Sequence, residues 1–281
     1  MSHHASVTAE QICQYQIDGA VLIKRALDPG GIALLEQGVE EAYRAQDKRA
    51  TKLDGEGGAE TVVRDYATQH SPSLLALTNG GAVGRIAAGL METASAQVIL
   101  DQIFYKSRGP ILPTPWHQDT PFLRVRGDPL VRLWFPCDFS PKALTVQVVR
   151  GSHRWNTVYN TGANADPEAG ATRGVGDSWL PPAPDVRRYR ESFDILSWDV
   201  EPGDAVAFQG NMLHGTDGHP GHDSPRRAFA ILLGGPELRY HAPEGKAFPS
   251  PGRVRGLRAD DAIPHGAKIG DYRDAFPICP T

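Results

Sequence analysis

The spacing of apolar residues along the chain changes character once, near residue 96. Upstream of it, Ile32, Leu35, Val39 and Tyr43 recur at helical intervals within "DPGGIALLEQGVEEAYRAQ". This predicts an amphipathic helix beginning after the Pro29, Gly30, Gly31 break. The segment before it, "VTAEQICQYQID", offers Thr8 as an N-cap with Gln11 three residues on, the pattern of a capping box, and a stop near Asp18 and Gly19. Residues 7–49 therefore read as helical, interrupted by the short apolar strand "AVLI" at 20–23, and residues 71–94 add further helix.

Downstream, the apolar runs shorten and are separated by Gly, Pro and Asp. "AQVILDQIFYKS", "VRLWFPCDF", "LTVQVVRGSH", "ILSWDV", "DAVAFQG" and "RRAFAILLGG" have the length and content of strands. Such a succession predicts a sandwich or barrel, and helices followed by strands give an α+β, mainly β, order. Residues 156–193 hold many Gly, Pro, Asn and Asp without periodicity and read as a long insertion, of the kind that forms lids. The 281 residues are expected to form one domain, with a helical part at about 7–94 and a β core at about 96–240.

Charge narrows the partners. The net charge is -4, and Lys and Arg are scattered rather than striped, so no nucleic-acid footprint is expected and a small-molecule substrate is. No apolar run approaches the roughly 20 residues that span a bilayer. Cys13, Cys137 and Cys279 are far apart, with no paired spacing and no signal-like start, which points to a reducing, cytoplasmic setting.

Candidate chemistry begins at "PTPWHQDTPF", residues 113–122. In an extended segment, side chains at i and i+2 share a face, so His117 and Asp119 would point together into the space that the strands enclose. His214 follows the apolar strand at 205–208 and supplies a third donor. Two histidines and one carboxylate on a β framework form the facial triad of non-haem Fe(II) sites. The same residues admit other readings: a hydrogen-bonded His–Asp pair, or a zinc cluster of His214, His219 and His222.

Arg226 adds a second feature. Alternation along "RRAFAILL" places Arg226, Ala228 and Ala230 on one face and Arg227 and Phe229 on the other. An inward arginine among small residues needs an anion, and its planar fork suits a carboxylate.

Together, the HQD at 117–119, His214 in "HGT", Arg226 in "RRA", the "GSH" at 151–153 and the opening "EQICQYQIDGAVLIKRAL" resemble the phytanoyl-CoA dioxygenase family over nearly the whole chain. The resemblance implies an Fe(II)- and 2-oxoglutarate-dependent oxygenase with a double-stranded β-helix (jelly-roll, cupin-like) core and N-terminal helices packed outside it. It implies His117, Asp119 and His214 as iron ligands and Arg226 as the partner of the distal carboxylate of 2-oxoglutarate. Trp134, Gln102, Lys106 and Thr216 are implied to line the cosubstrate site, and His153, with three ligands already supplied, to be structural or to support the ligands from behind.

The implied reaction consumes O2 and 2-oxoglutarate, releases succinate and carbon dioxide, and oxidises a C–H bond. Hydroxylation is the default outcome, with desaturation, epoxidation or rearrangement from the same start. Relatives that halogenate lack the carboxylate kept here as Asp119. Phe104, Phe122, Trp134 and Trp155 are candidates for an apolar substrate pocket, and Arg124, Arg126, Arg132 or Arg150 for meeting an acidic group. The substrate class implied includes secondary metabolites, handled by a monomer or a homodimer.

The chain departs from the family pattern before its GSH, where Lys142 and Ala143 stand in place of the usual Asn-Gly turn and Arg150 in place of a proline. Two competing classes follow from the residues alone. A metal-free β-barrel binding protein would show no turnover, and a zinc hydrolase would work without O2 or 2-oxoglutarate. Neither needs an inward cation at Arg226.

Overall fold

The computed structural model describes residues 6–45, 50–54, 60–106, 109–160, 179–219, 225–242 and 263–281. It is a mixture of helices and antiparallel sheets. Helix α1, Ala9–Asp18, starts at Thr8, whose side chain accepts from the Gln11 amide while the Gln11 side chain returns to the Thr8 N–H. It stops at Gly19, whose φ of 83° is the left-handed value that favours glycine. A Cβ at Gly19 would also lie 2.3 Å from His153 Nδ1 and Met212 Sδ. Strand β1, Ala20–Ile23, follows directly.

Helix α2, Pro29–Arg44, begins at the proline and not after the Pro29-Gly30-Gly31 stretch. Asp28 is its N-cap, accepting from the Gly31 amide at 2.7 Å, and Pro29 occupies the first turn, where a missing N–H costs nothing. Next comes a hairpin that the apolar pattern did not reveal, β2 (Ala50–Asp54) with β3 (Glu60–Asp65). Helices α3, Pro72–Asn79, and α4, Ala82–Met91, complete the helical part. Among the described residues, no single helix is long and apolar enough to cross a membrane.

The rest is strand and turn. Its strands are β4 (Ala96–Lys106), β5 (Thr114–His117), β6 (Val125–Arg126), β7 (Leu130–Pro136), β8 (Gln147–Val149), β9 (Ile195–Leu196), β10 (Ala205–Gln209), β11 (His214–Thr216), β12 (Arg226–Gly234), β13 (Arg239–Tyr240) and β14 (Ile278–Cys279). The large sheet runs β1-β10-β7-β12-β4-β3-β2, with β14 against β4, and a smaller sheet runs β5-β11-β8-β9. All pairings between these strands are antiparallel.

Alternation gives the large sheet two faces. Ile103, Leu133, Phe135, Ala207 and Phe229 pack with Leu35, Val39, Ile86 and Leu90 of the helices. Trp134, Val206, Phe208, Ala228 and Ala230 point the other way and pack with Val146 and Val148. Burying one large side chain on the helix side stabilises by about 1.5–3 kcal/mol, so this layer holds the sheet in place beneath the site. Outside it, Arg227 forks onto Asp138 (2.7 and 3.1 Å) and reaches Glu40 at 3.0 Å.

The interval 156–193 is less loose than its composition implies. Ala183 and Val186 are buried and pack with Val149 and Leu213, while residues 161–178 lie outside the described residues. Cys137 and Cys279 are buried and Cys13 exposed, none in a disulfide.

Candidate metal centre and its cavity

His117 and His214 are cross-strand partners on β5 and β11. Each ring is fixed by its own backbone. His117 Nδ1 lies 2.7 Å from the Pro115 carbonyl and His214 Nδ1 lies 3.0 Å from the Met212 carbonyl. A carbonyl only accepts, so both Nδ1 atoms carry the proton and both Nε2 atoms keep a lone pair.

Asp119 does not continue the strand. It sits in helical conformation at the start of a 3-10 turn, Thr120–Phe122, with its N–H on the Gly210 carbonyl at 3.1 Å. That turn brings Asp119 Oδ1 to 3.9 Å from His117 Nε2 and 3.8 Å from His214 Nε2. These gaps are too long for hydrogen bonds. Donors bound to one ion at about 2.1 Å on the same side lie about 3.0–3.4 Å apart, so a shift of about half an ångström would bring these atoms onto a shared ion. The three donor atoms all lie within 4.8 Å of one another, the only such group of His, Cys, Asp or Glu among the described residues.

Gln118, between His117 and Asp119, turns the opposite way. Its Nε2 donates to the Thr157 and Asn211 carbonyls at 3.0 and 2.8 Å, and its Oε1 accepts from the Tyr159 N–H at 2.9 Å. The HQD motif thus points two donors at the space shared with His214 and anchors the strand end with the residue between them.

Electrostatics favour ligation. Burial holds the His117 imidazole below its usual pKa, and burial together with His117 pushes His214 down to about 3, against the pull of Asp119. Phe122 edge-on to His117 and Phe208 beside His214 supply part of that apolar surround. Burial alone would raise Asp119, yet Arg132 first and then the imidazoles outweigh it, leaving the carboxyl below its ordinary value. Two neutral imidazoles and one carboxylate are the protonation states a divalent metal requires.

The site opens into a cavity of about 310 Å³ between the two sheets. Arg226 enters it at 5.9 Å from the Trp134 ring centre. Its Nε is buried without a hydrogen-bond partner, no acid among the described residues pairs with it, and burial lowers its pKa to about 10, so it remains charged at neutral pH. Ala228 leaves room beside it. A buried guanidinium with an empty fork fits a carboxylate.

The remaining sequence candidates divide. Trp134, Gln102 and Thr216 line the cavity, as do Phe104 and Phe122. Gln102 is committed to protein partners, however: its Nε2 donates to Asp65 at 2.7 Å and its Oε1 accepts from Arg132. Thr216 Oγ1 accepts from the Thr114 N–H at 3.0 Å. Lys106 is buried at the end of β4, opposite Arg226 and Thr61, and is not among the cavity-lining residues.

Trp155 packs on Tyr159 and Phe193 away from the cavity. Arg150 pairs with Asp18 and Asp194, and Arg126 donates to the Thr120, Leu123 and Val125 carbonyls. Of the arginines considered for an acidic substrate group, Arg132 alone lines the cavity. His153 donates Nε2 to the Gln16 carbonyl at 3.1 Å and tethers α1. His222 lies outside the described residues, and His219 stands in a backbone bridge to Ile111. Asp65, also on the cavity wall, was not singled out from the sequence. A charged residue closing the short "ETVVRD" run was its one signal.

Comparison with known proteins agrees with this geometry. The model of the phytanoyl-CoA dioxygenase (PhyH) family matches residues 15–228, a span that contains His117, Asp119, His214 and Arg226. The chain belongs to the phytanoyl-CoA dioxygenase family.

No curated protein matches it by sequence. Solved structures do by shape. The epimerase SnoN in complex with Fe3+, alpha ketoglutarate and nogalamycin RO is 16% identical, with a TM-score of 0.69 over 96% of this chain and 97% of that one. The carbocyclase SnoK from nogalamycin biosynthesis is 17% identical, with a TM-score of 0.69 over 98% and 97%. EctD from S. alaskensis with 2-oxoglutarate and 5-hydroxyectoine is 15% identical, with a TM-score of 0.63 over 96% and 89%. At such identities the likeness shows the fold. The His-Asp-His group of this PhyH-family chain fits iron.

Proposed function

We propose that the chain is an Fe(II)- and 2-oxoglutarate-dependent oxygenase acting on a C–H bond of a small organic substrate, with hydroxylation as the default outcome. The observation that carries this reading is the convergence of His117 Nε2, His214 Nε2 and Asp119 Oδ1 beside an arginine with no acid partner, in one cavity. The two sheets around that cavity read as a double-stranded β-helix with the helices outside it. SnoN and EctD, crystallised with the metal or the cosubstrate, support the choice of both.

When bound, iron would supply the place where O2 and 2-oxoglutarate react, so that the cosubstrate becomes succinate and carbon dioxide while the substrate is oxidised. His117, Asp119 and His214 would hold it on one side, leaving the other side free. Arg226 would take the distal carboxylate of 2-oxoglutarate, with Trp134 flanking its guanidinium. Leu100, Phe104, Phe122 and Leu123 would give the substrate an apolar wall and keep water out. A substrate of mainly apolar character, of the kind found among secondary metabolites, suits that wall.

The test is turnover of the cosubstrate. Purified protein given Fe(II), 2-oxoglutarate and O2 is expected to form succinate, slowly without substrate, and His214→Ala to form none above background. Succinate formation by His214→Ala at the parent rate would overturn the reading. A zinc hydrolase would instead work without O2.

A further inference from the structure

The cavity contains two arginines, and the structure sets them to different tasks. Arg132 lies on β7, two residues before Trp134 and on the same face, almost wholly buried within an otherwise apolar strand. Leaving a guanidinium unpaired there would be costly. Its Nη1 donates to Asp119 Oδ2 at 3.1 Å and its Nη2 to Gln102 Oε1. Both ends of the fork are therefore used within the protein, whereas the Nε of Arg226 has no partner.

The pattern has a direction. Arg132 takes Oδ2 of Asp119 and leaves Oδ1, the atom that faces both imidazoles, free. A guanidinium has only donors, so it fixes the Gln102 amide with its oxygen inward and its NH2 outward. That NH2 donates to Asp65 Oδ1 at 2.7 Å, on the neighbouring strand β3, where Asp65 is the register partner of Gln102. An unbroken line of donors and acceptors thus runs from Asp119 at the 3-10 turn through Arg132 on β7 and Gln102 on β4 to Asp65 on β3.

We infer that Arg132 is a positioning residue that holds Asp119 as a one-oxygen metal ligand, and that Gln102 and Asp65 hold Arg132 in turn. This rests on the metal-site reading above. It removes Arg132 from the groups available to a substrate anion and gives Gln102 a task other than contact with 2-oxoglutarate. Groups that orient metal ligands typically tune affinity 10- to 100-fold.

The experiment measures metal binding by the full-length protein without O2 or substrate, using Fe(II) for affinity and Co(II) as a spectroscopic probe. Arg132→Met is expected to weaken Fe(II) binding by about 10- to 100-fold and to change the Co(II) d–d bands. Arg132→Lys, which keeps the charge but not the fork, should recover part of the affinity. Gln102→Leu should weaken binding by a smaller factor, and it decides the matter should Arg132→Met not fold.

Fe(II) affinity within twofold of the parent and an unaltered Co(II) spectrum in the folded variants would overturn the inference. Absence of metal binding by the parent protein would instead overturn the metal-site reading itself.

Discussion

His117 and His214 are held by the same local device: each donates Nδ1 to the carbonyl two residues earlier, at Pro115 and Met212, and each turns Nε2 toward Asp119 Oδ1. Because the two strands pair in register at these residues, ring orientation is set by the backbone and needs no metal to create it. Such preorganisation has a cost in acid, which can be measured.

Both imidazoles have pKa values lowered by burial, as does that of His153. In the unfolded chain they titrate near about 6.5. As pH falls through that value, the unfolded state takes up protons that the folded state does not, and the metal-free protein loses stability. Asp119 acts in a lower window, because its depressed carboxyl loses its contribution only as pH falls below about 3.8. Urea denaturation of the metal-free protein is expected to give a lower midpoint at pH 5.5 than at pH 7.5. The difference should shrink in His117→Asn/His214→Asn. An equal or higher midpoint at pH 5.5 would contradict this assignment.

Arg226→Met should lower affinity for 2-oxoglutarate by about tenfold or more, the worth of a charge-assisted bond to a carboxylate at about 1.5–3 kcal/mol. Fe(II) affinity should change far less, because Arg226 is not one of the three converging donors. Calorimetric titration separates the two. Equal losses for metal and 2-oxoglutarate would place Arg226 elsewhere in the chemistry.

Gln118→Ala removes a fully buried amide that joins Thr157, Tyr159 and Asn211 to the strand end bearing His117 and Asp119. Leaving those backbone groups unpaired is expected to cost about 2–4 kcal/mol. The loss should appear as a lower urea midpoint with unchanged slope. A change within about 0.5 kcal/mol, the range of ordinary surface substitutions, would show that the amide holds nothing.

Much of this arrangement was legible in the sequence where one short-range rule decided it. The capping box at Thr8 and Gln11 and the stop at Gly19 are local, and α1 formed as they dictate. Alternation in "RRAFAILL" separated Arg226, facing the cavity, from Arg227, paired outside with Asp138 and Glu40.

The hairpin β2–β3 escaped notice because its signal is a short apolar run among charged residues and glycines, and its place at the sheet edge comes from pairing with β4. The sequence pattern places Asp119 in an extended segment, whereas it begins a 3-10 turn. The 3-10 turn that aims it is stabilised by Gly210, about ninety residues away in the chain, and no window of sequence contains that contact. The Arg132–Asp119 pair is non-local in the same way, although a lone arginine inside "LVRLWFP" is a buried charge that calls for a partner.

Absorption of the anaerobic protein tests the central claim most directly. Addition of Fe(II) and then 2-oxoglutarate is expected to produce the weak visible charge-transfer band of the iron-bound keto acid, at one equivalent of each, and the band should be absent in His117→Ala. A parent protein that binds 2-oxoglutarate without the band, or a His117→Ala variant that retains it, would contradict a metal held by His117, Asp119 and His214.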